Sequence, residues 1–129
     1  MPELDEPPPK QFPKIAIVGP CSSGKSTLGN TLKTLGYPVR QPTQEHSHIP
    51  HLWRHFSQPD YLIYLDVDYK NARLRRPHID GGPQRLVNQH QMLADAYQHR
   101  HFYLDTSQLT PQEVKTAVLH FLHSQVTAA

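Results

Sequence analysis

The sequence is organised around one stretch, Gly19-Pro20-Cys21-Ser22-Ser23-Gly24-Lys25-Ser26, which fits the phosphate-binding pattern G-x-x-x-x-G-K-[ST]. A short apolar run at residues 14–18 precedes it and predicts a buried parallel strand. Leu28, Leu32 and Leu35 follow at helical spacing and predict a helix. A strand, a glycine-containing loop and a helix start can direct several backbone N–H groups at one phosphate. We therefore predict phosphate binding at residues 19–26, which we call the glycine loop.

The residue types of the glycine loop fit a nucleoside triphosphate with its metal ion. Gly19 and Gly24 permit backbone angles that side chains resist. Lys25 can reach the β- and γ-phosphates, and the Ser26 hydroxyl can bind Mg²⁺. The residues predicted to bind the nucleotide here are Gly19, Cys21, Ser22, Ser23, Gly24, Lys25, Ser26 and Thr27. Because a thiol beside a helix N-terminus is often reactive, Cys21 is either a redox-sensitive residue or simply a small loop residue.

Composition restricts the class of protein. A length of 129 residues favours one domain. Lys and Arg total 13 against 11 Asp and Glu, a formal charge of +2 that gives no strong nucleic-acid or membrane signal. The single cysteine excludes an internal disulfide. With no signal peptide and no apolar run long enough to span a bilayer, we expect a cytoplasmic protein.

The chain divides into a domain and two short ends. Residues 1–13 contain five prolines and predict a disordered or extended tail, with a polyproline ligand as the alternative. Residues 14–123 are predicted to form the domain, and residues 124–129 are expected to fray.

The segment after the first helix supplies a candidate acidic group. Gly36 and Pro38 predict the end of that helix, and residues 37–41 predict a second strand. Residues 42–48 would then leave the carboxyl edge of the sheet, where ligands bind in open α/β folds. Glu45 is therefore either a carboxylate of the site or part of a solvated loop.

A histidine-rich stretch follows. Residues 49–56 predict a short helix, with His48, His51 and His55 at spacings that could place all three on one face. A metal site is conceivable, but no known ligand spacing is completed. We favour exposed or hydrogen-bonded histidines.

Residues 61–65 are the most strand-like run and lead into Asp66 and Asp68. An apolar strand with an acidic end is typical of a carboxylate that binds or orients Mg²⁺. We assign this role to Asp66. Asp68 could share it, or could cap the helix expected from Tyr69.

The next helix carries Arg73, Arg75 and Arg76 and should stop before Pro77. Arginine offers planar bidentate donors to phosphoryl oxygens, so this turn beside the loop at 78–83 suits a phosphate clamp. The alternative is a solvated basic face.

The remainder predicts a long helix at 84–100, a last strand at 101–105 and a closing helix. His90 lies among the apolar positions of the long helix and is read as a core or boundary residue. Thr110 and Glu113 form a capping box for the closing helix. The alternation predicts an α/β fold, a three-layer α/β/α sandwich with a mainly parallel sheet of about four to five strands.

Three segments resemble the nucleotide-kinase-like branch of P-loop NTPases, which includes adenylate, thymidylate and shikimate kinases. They are residues 19–28, residues 59–68 with Arg73 and Arg76 after them, and residues 103–114. The resemblance implies that arginines of the lid contact phosphates or adenine. It also implies that the loop after the last strand, with Thr106 and Gln108, contacts the adenine ring. Those kinases hold their acceptor between strands 2 and 3, where this chain has only residues 42–59.

These observations predict a minimal ATP-dependent phosphotransferase, a small P-loop kinase acting on a small acceptor such as a nucleotide. The predicted catalytic residues are Lys25, Glu45, Asp66, Arg73 and Arg76, and Mg²⁺ is expected on Ser26 and Asp66. One alternative is a nucleotide-binding regulatory module with little turnover, favoured by the reduced lid. Another is a nucleic-acid-associated ATPase, against which the charge of +2 counts.

Overall fold

Strands and helices alternate along the chain, as the pattern predicts. The computed structural model describes residues 12–55, 58–78 and 81–128. In these ranges the strands are β1 (Ile15–Val18), β2 (Val39–Arg40), β3 (Tyr61–Asp66) and β4 (Phe102–Asp105). The α-helices are α1 (Lys25–Thr34), α2 (Tyr69–Arg75), α3 (Gly82–Met92), α4 (Ala94–His99) and α5 (Pro111–Ala128). Short 3₁₀ turns occupy Gln44–His46 and Leu52–Arg54.

The four strands form one parallel sheet in the order β2-β1-β3-β4. Ile17 lies beside Ile63, and Asp66 lies beside Asp105. Because every strand runs the same way, all their carboxyl ends meet at one edge of the sheet. The predicted α/β class and parallel sheet are confirmed, and helices on both faces agree with a three-layer sandwich.

One face of the sheet is closed by aliphatic side chains of α1 and α5. Leu32 of α1 and Val118 and Leu122 of α5 are fully buried against Ile17 and Leu65 of the strands. We call this the aliphatic face. Leu35, predicted on the same stripe, is 43% exposed because it caps the end of α1 rather than continuing it.

The opposite face is covered differently. Leu62 and Tyr64 of β3 pack with Trp53, with Leu93 and with Ala96 of α4. The polar residues Gln44, Glu45 and Gln89 are also buried beside this cluster. We call this the polar face.

Several predicted bounds need correction. The helix expected at 84–100 is two helices, broken at Leu93, whose N–H is shared between the carbonyls of Gln89 and His90. This tighter turn buries the Leu93 side chain completely. The helix expected at 49–56 is only a 3₁₀ turn at Leu52–Arg54 with Trp53 buried, and residues 56 and 57 lie outside the described residues. Strand β2 is also shorter than predicted, starting after Pro38.

The predicted helix ends are confirmed. Gly36 follows α1 with φ of +105°, the left-handed geometry of a glycine that ends a helix. Thr110 Oγ1 accepts from Glu113 N at 3.1 Å, and Thr110 N donates to Glu113 Oε1 at 2.9 Å. Helix α5 continues to Ala128, beyond residue 124 where we expected fraying.

The N-terminal tail lies mostly outside the description, since residues 1–11 are not among the described residues. Phe12 is described, and its ring centroid lies 4.6 Å from that of Tyr37. In the described part of the chain, no helix is both long enough and apolar enough to cross a membrane.

Candidate functional site

The glycine loop joins β1 to α1 at the carboxyl edge of the sheet. Gly19 has φ of +154°, and a Cβ there would lie 2.0 Å from the carbonyl oxygen of Leu65. Gly24 caps α1 with φ of +100°, and Ser22 also has a positive φ of 71°. Since L side chains rarely adopt such angles, this loop is a specialised backbone and not an ordinary strand–helix turn.

Lys25 is folded back over the loop. Its Nζ donates to the carbonyl oxygens of Gly19 at 2.6 Å and Pro20 at 3.1 Å. The same atom lies 3.1 Å from Glu45 Oε2 in an ion pair whose side chains are 13% and 5% exposed. The lysine predicted to meet phosphates is therefore held at the loop by three oxygen atoms.

Glu45 is a buried residue of the site. The structure places it beside Lys25 on the first 3₁₀ turn, with 4% of the residue exposed, so it is not part of a solvated loop. Its Oε1 atom is buried and has no hydrogen-bond partner among the described residues. The sequence placed Glu45 at the right edge of the sheet, but it gave no sign of the contact with Lys25.

Gln44 fixes the turn that carries Glu45. Its Nε2 donates to the carbonyls of Ile49 at 2.8 Å and Met92 at 3.1 Å, and its Oε1 accepts from Trp53 N at 2.9 Å. The residue is fully buried. These bonds tie the turn to α3 and to the following segment, so Glu45 is positioned by a neighbour that the sequence analysis did not single out.

Of the three arginines predicted to form a phosphate clamp, Arg75 at the end of α2 hydrogen-bonds to the glycine loop. Arg75 donates to the Ser22 carbonyl at 2.8 Å and to Thr106 Oγ1 at 2.9 Å, and also bonds the Thr106 carbonyl. Thr106 Oγ1 in turn lies 2.8 Å from the Ser23 carbonyl. Arg73 and Arg76 instead line a small cavity of about 40 Å³ with Cys21.

A larger cavity of about 300 Å³ adjoins the loop on the aliphatic face. Its lining includes Ser22, Gly24, Thr27, Arg75, Thr106 and Leu109. Gln108, which the resemblance linked to the base, is exposed, as is Ser26 at the first turn of α1. The cavity thus joins the predicted phosphate-binding loop to the predicted base-binding loop.

Asp66 ends β3 with its carboxylate already engaged. Oδ1 accepts from Val67 N at 2.9 Å and lies 2.8 Å from His90 Nε2, and Oδ2 accepts from Tyr103 OH at 2.7 Å. Burial and the neighbouring Asp66 carboxylate raise the pKa of Tyr103. A metal ion on Asp66 would have to share the carboxylate with these donors. His90, read from sequence as a core or boundary residue, is half-buried and faces Asp66.

Asp68 is a helix cap. Its Oδ1 accepts from Asn71 N at 2.8 Å, and this backbone hydrogen bond lowers the pKa of its carboxyl. The capping interpretation is confirmed, because both carboxylate oxygens of Asp68 accept hydrogen bonds from Asn71 at the start of α2.

Cys21 lies in a cluster that the sequence analysis missed. Its Sγ lies 3.4 Å from His46 Nε2 and accepts from Gln89 Nε2 at 3.4 Å and from Arg85 at 3.7 Å. Its backbone N–H donates to Gln89 Oε1 at 3.0 Å. These partners lie 25 to 68 positions away in the sequence, so no local sequence pattern predicts the contacts.

The three histidines predicted to be exposed or hydrogen-bonded are so. His48, His51 and His55 are all exposed, and His51 Nδ1 lies 3.0 Å from Asp95 Oδ2.

No protein-family model matches this chain, and comparison with curated proteins likewise finds no match.

Proposed function

We propose that the protein is an ATP-dependent phosphotransferase of the P-loop kinase type, acting on a small acceptor. The geometry of the glycine loop carries the proposal. Gly19 closely approaches the Leu65 carbonyl, Gly24 starts α1 in a left-handed conformation, and Lys25 lies over the loop. A helix N-terminus behind such a loop is suited to bind phosphate.

We assign the cavity beside the loop to the nucleoside. Its volume of about 300 Å³ is at the lower end of ligand pockets, which measure about 300–1,000 Å³. Arg75 and Thr106 lie on one side of it, and the apolar Leu109 supplies a surface for a flat base. ATP bound in this way would place its base on the aliphatic face and its phosphates at Lys25.

Mg²⁺ bound with the nucleotide would neutralise charge on the β- and γ-phosphate oxygens. The Ser26 hydroxyl is exposed at the first turn of α1 and is suited to hold it. Asp66 remains the proposed carboxylate, with His90 and Tyr103 orienting it. Both residues lie at the carboxyl edge of the sheet.

The acceptor half of the reaction is assigned to the polar face. When phosphate draws Lys25 away from Glu45, the freed carboxylate can orient or deprotonate an acceptor hydroxyl. Arg73 and Arg76, beside Cys21, supply positive charge for an anionic acceptor or for the transferring phosphoryl group. A small acceptor fits the short segment between β2 and β3.

A second candidate is a nucleotide-binding module with little turnover. The Lys25–Glu45 ion pair favours it, because a resting state that neutralises the lysine also opposes phosphate binding. The short lid, a seven-residue helix and a brief loop, would also exclude water poorly.

The two candidates separate in one experiment. The protein is incubated with ATP, Mg²⁺ and a panel of nucleotides, sugars and alcohols, and phosphorus NMR follows the products. We expect one new phosphoester from the native chain and none from Lys25→Ala. Lys33→Ala is the matched control, because Lys33 is exposed on the same helix and should leave the signal unchanged.

Calorimetric titration with ATP completes the test. Binding without turnover would support the module, and absence of ATP binding by the native chain would contradict both candidates. Circular dichroism of Lys25→Ala establishes that lost activity is not lost folding, since removing Lys25 leaves Glu45 buried without its partner.

A further inference from the structure

Cys21, Glu45 and His46 bring three different metal-binding atoms together beside the glycine loop. One donor atom from each lies within 4.8 Å of the other two. The Cys21 Sγ to His46 Nε2 distance is 3.4 Å, and the Glu45 Oε2 to His46 Nε2 distance is 3.7 Å. Within residues 12–55, 58–78 and 81–128, this is the one group of His, Cys, Asp and Glu side chains so arranged.

Two of the three separations approach the edges of a tetrahedral site, and the third, between Cys21 Sγ and the Glu45 carboxylate, lies within 4.8 Å. With Zn–S of about 2.3 Å and Zn–N or Zn–O of about 2.0–2.1 Å, tetrahedral ligands lie about 3.4–3.6 Å apart. The Sγ–Nε2 distance already has this value, and the Oε2–Nε2 distance is within a few tenths of it. Side-chain rotations that bring the Glu45 carboxylate and Cys21 to this spacing would enclose an ion.

An independent observation points to a missing ligand. The Glu45 side chain is 5% exposed, and its Oε1 atom has no hydrogen-bond partner among the described residues. Oε2 is the oxygen that lies 3.7 Å from His46 Nε2, and it is already paired with Lys25, so Oε1 leaves the same carboxylate with unused buried acceptor capacity. Leaving a buried carboxylate oxygen without a partner is costly, and a cation would satisfy it.

The surrounding residues hold the three donors in place. Gln89 binds both the backbone N–H and the Sγ of Cys21. Gln44, anchored by its own hydrogen bonds, fixes the turn that carries Glu45 and His46. Such outer contacts orient the ligands of metal centres and contribute to metal affinity.

From this geometry we infer that Cys21, Glu45 and His46 bind a zinc-class transition-metal ion. Sulfur and imidazole ligands select such ions, whereas Mg²⁺ prefers oxygen alone. Three protein ligands leave one coordination position for water or another oxygen donor. The site is distinct from the proposed Mg²⁺ position at Ser26 and Asp66, and it stands whether or not the protein transfers phosphate.

A metal ion at this site would compete with Lys25 for the Glu45 carboxylate. Two cations would share the Glu45 carboxylate, so metal binding should weaken the Lys25–Glu45 contact. An ion bound to Cys21 would also restrict the motion of the glycine loop, because Cys21 is part of that loop. The metal is therefore expected to alter the loop that the nucleotide uses, although its binding needs no nucleotide.

The test uses Co²⁺ as a spectroscopic substitute on the reduced, full-length chain without ATP. Because the chain has one cysteine, a thiolate-to-cobalt charge-transfer band reports binding at Cys21 and cannot come from surface histidines. We expect this band to saturate at one equivalent, with the intense visible absorption of tetrahedral Co²⁺, and Zn²⁺ should abolish it.

Variants assign the other ligands. His46→Asn should weaken Co²⁺ binding beyond the roughly 10–100-fold that loss of an outer partner costs. Glu45→Gln should also weaken it, and Cys21→Ser should remove the charge-transfer band. His48→Asn is the matched control, an exposed histidine two positions from His46 that should retain full affinity.

The inference would be overturned by Co²⁺ binding that shows no charge-transfer band in the native chain. Equal affinity of His46→Asn and His48→Asn, with both folded by circular dichroism, would overturn it too. The first result would mean that the metal binds away from Cys21, and the second would mean that His46 is not a ligand.

Discussion

The aliphatic face and the polar face cover the same four strands with different chemistry. On the first, the buried side chains of Leu32, Val118 and Leu122 form a mostly aliphatic core. On the second, Trp53 and Leu93 share the interior with buried Gln44 and Glu45. The glycine loop lies where the two faces meet, so its backbone is supported by one and its side chains are engaged by the other.

The two faces of this small sheet have different roles: the aliphatic face contributes most of the stability, and the polar face positions residues of the candidate site. Burial of aliphatic area supplies most of the folding free energy of a small domain. Buried polar groups stabilise little on balance, because each hydrogen bond replaces one to water. The polar face is therefore retained for what it positions, namely Glu45 beside Lys25 and His46 beside Cys21.

The largest expected effect on stability comes from a substitution in the core of the aliphatic face. Leu32→Ala should lower the free energy of unfolding by about 2–5 kcal/mol, because it leaves a cavity in a fully buried core. Urea unfolding followed by circular dichroism measures it. Leu35→Ala, on the same helix but 43% exposed, should change stability by no more than about 0.5 kcal/mol. Equal losses in the two variants would contradict the described packing.

A smaller effect is expected on the polar face. Gln44→Ala should lower the free energy of unfolding by about 1–3 kcal/mol. The substitution leaves the buried Trp53 N–H and two backbone carbonyls without the hydrogen bonds that Gln44 makes to them. It should also speed alkylation of Cys21 by iodoacetamide, since the turn carrying His46 loosens. Gln108→Ala is the exposed control. Faster alkylation without a stability change would mean that the turn moves independently of the fold.

Substitution of Arg75 tests the glycine loop, which lies at the boundary between the two faces. If ATP binds as proposed, Arg75→Ala should weaken its affinity by about tenfold, as expected for loss of charged hydrogen bonds to the glycine loop and Thr106. Isothermal titration measures the affinity. Arg73→Ala, on the same helix without those contacts, should have a smaller effect on ATP. The reverse ranking would transfer the clamp role to Arg73.

The smallest expected effect is a pH dependence of the stability that Asp95 contributes on the polar face. Burial alone would raise the pKa of Asp95, but hydrogen bonds from Trp53 and His51 outweigh it and lower the pKa below the ordinary 3.8. A carboxyl with a lowered folded-state pKa stabilises the fold above that ordinary value, and the contribution is lost as pH falls below it. The difference in stability between Asp95→Asn and the native chain should therefore be larger near pH 5 than near pH 3. Thermal unfolding across this range measures it, and a constant difference would contradict the assignment.

Local signals were predicted well from the sequence. Gly36, Asp68, Thr110 and Glu113 act within a few residues of themselves, so each cap could be read without knowing the fold. The glycine loop could be recognised from residues 19–26, although the close approach of Leu65 that requires Gly19 is a contact through space. The parallel sheet followed from the alternation of strands and helices.

Contacts through space could not be predicted in the same way. Which of the arginines at positions 73, 75 and 76 contacts the loop depends on how α2 is rotated and where it ends, and the sequence does not distinguish them. The break at Leu93 lacks a glycine or proline and follows from burial of that side chain. His90 meets Asp66 only because α3 packs near the end of β3.

Trp53 gives the polar face its own optical signal. It is the one tryptophan of the chain and is 7% exposed, with its indole N–H donated to Asp95 at 2.8 Å and its backbone N–H donated to Gln44 at 2.9 Å. Emission from this indole should therefore respond to the turn that carries Glu45 and His46. The core of the aliphatic face contains no tryptophan, so indole emission follows the polar face, whereas circular dichroism follows the helices of both faces.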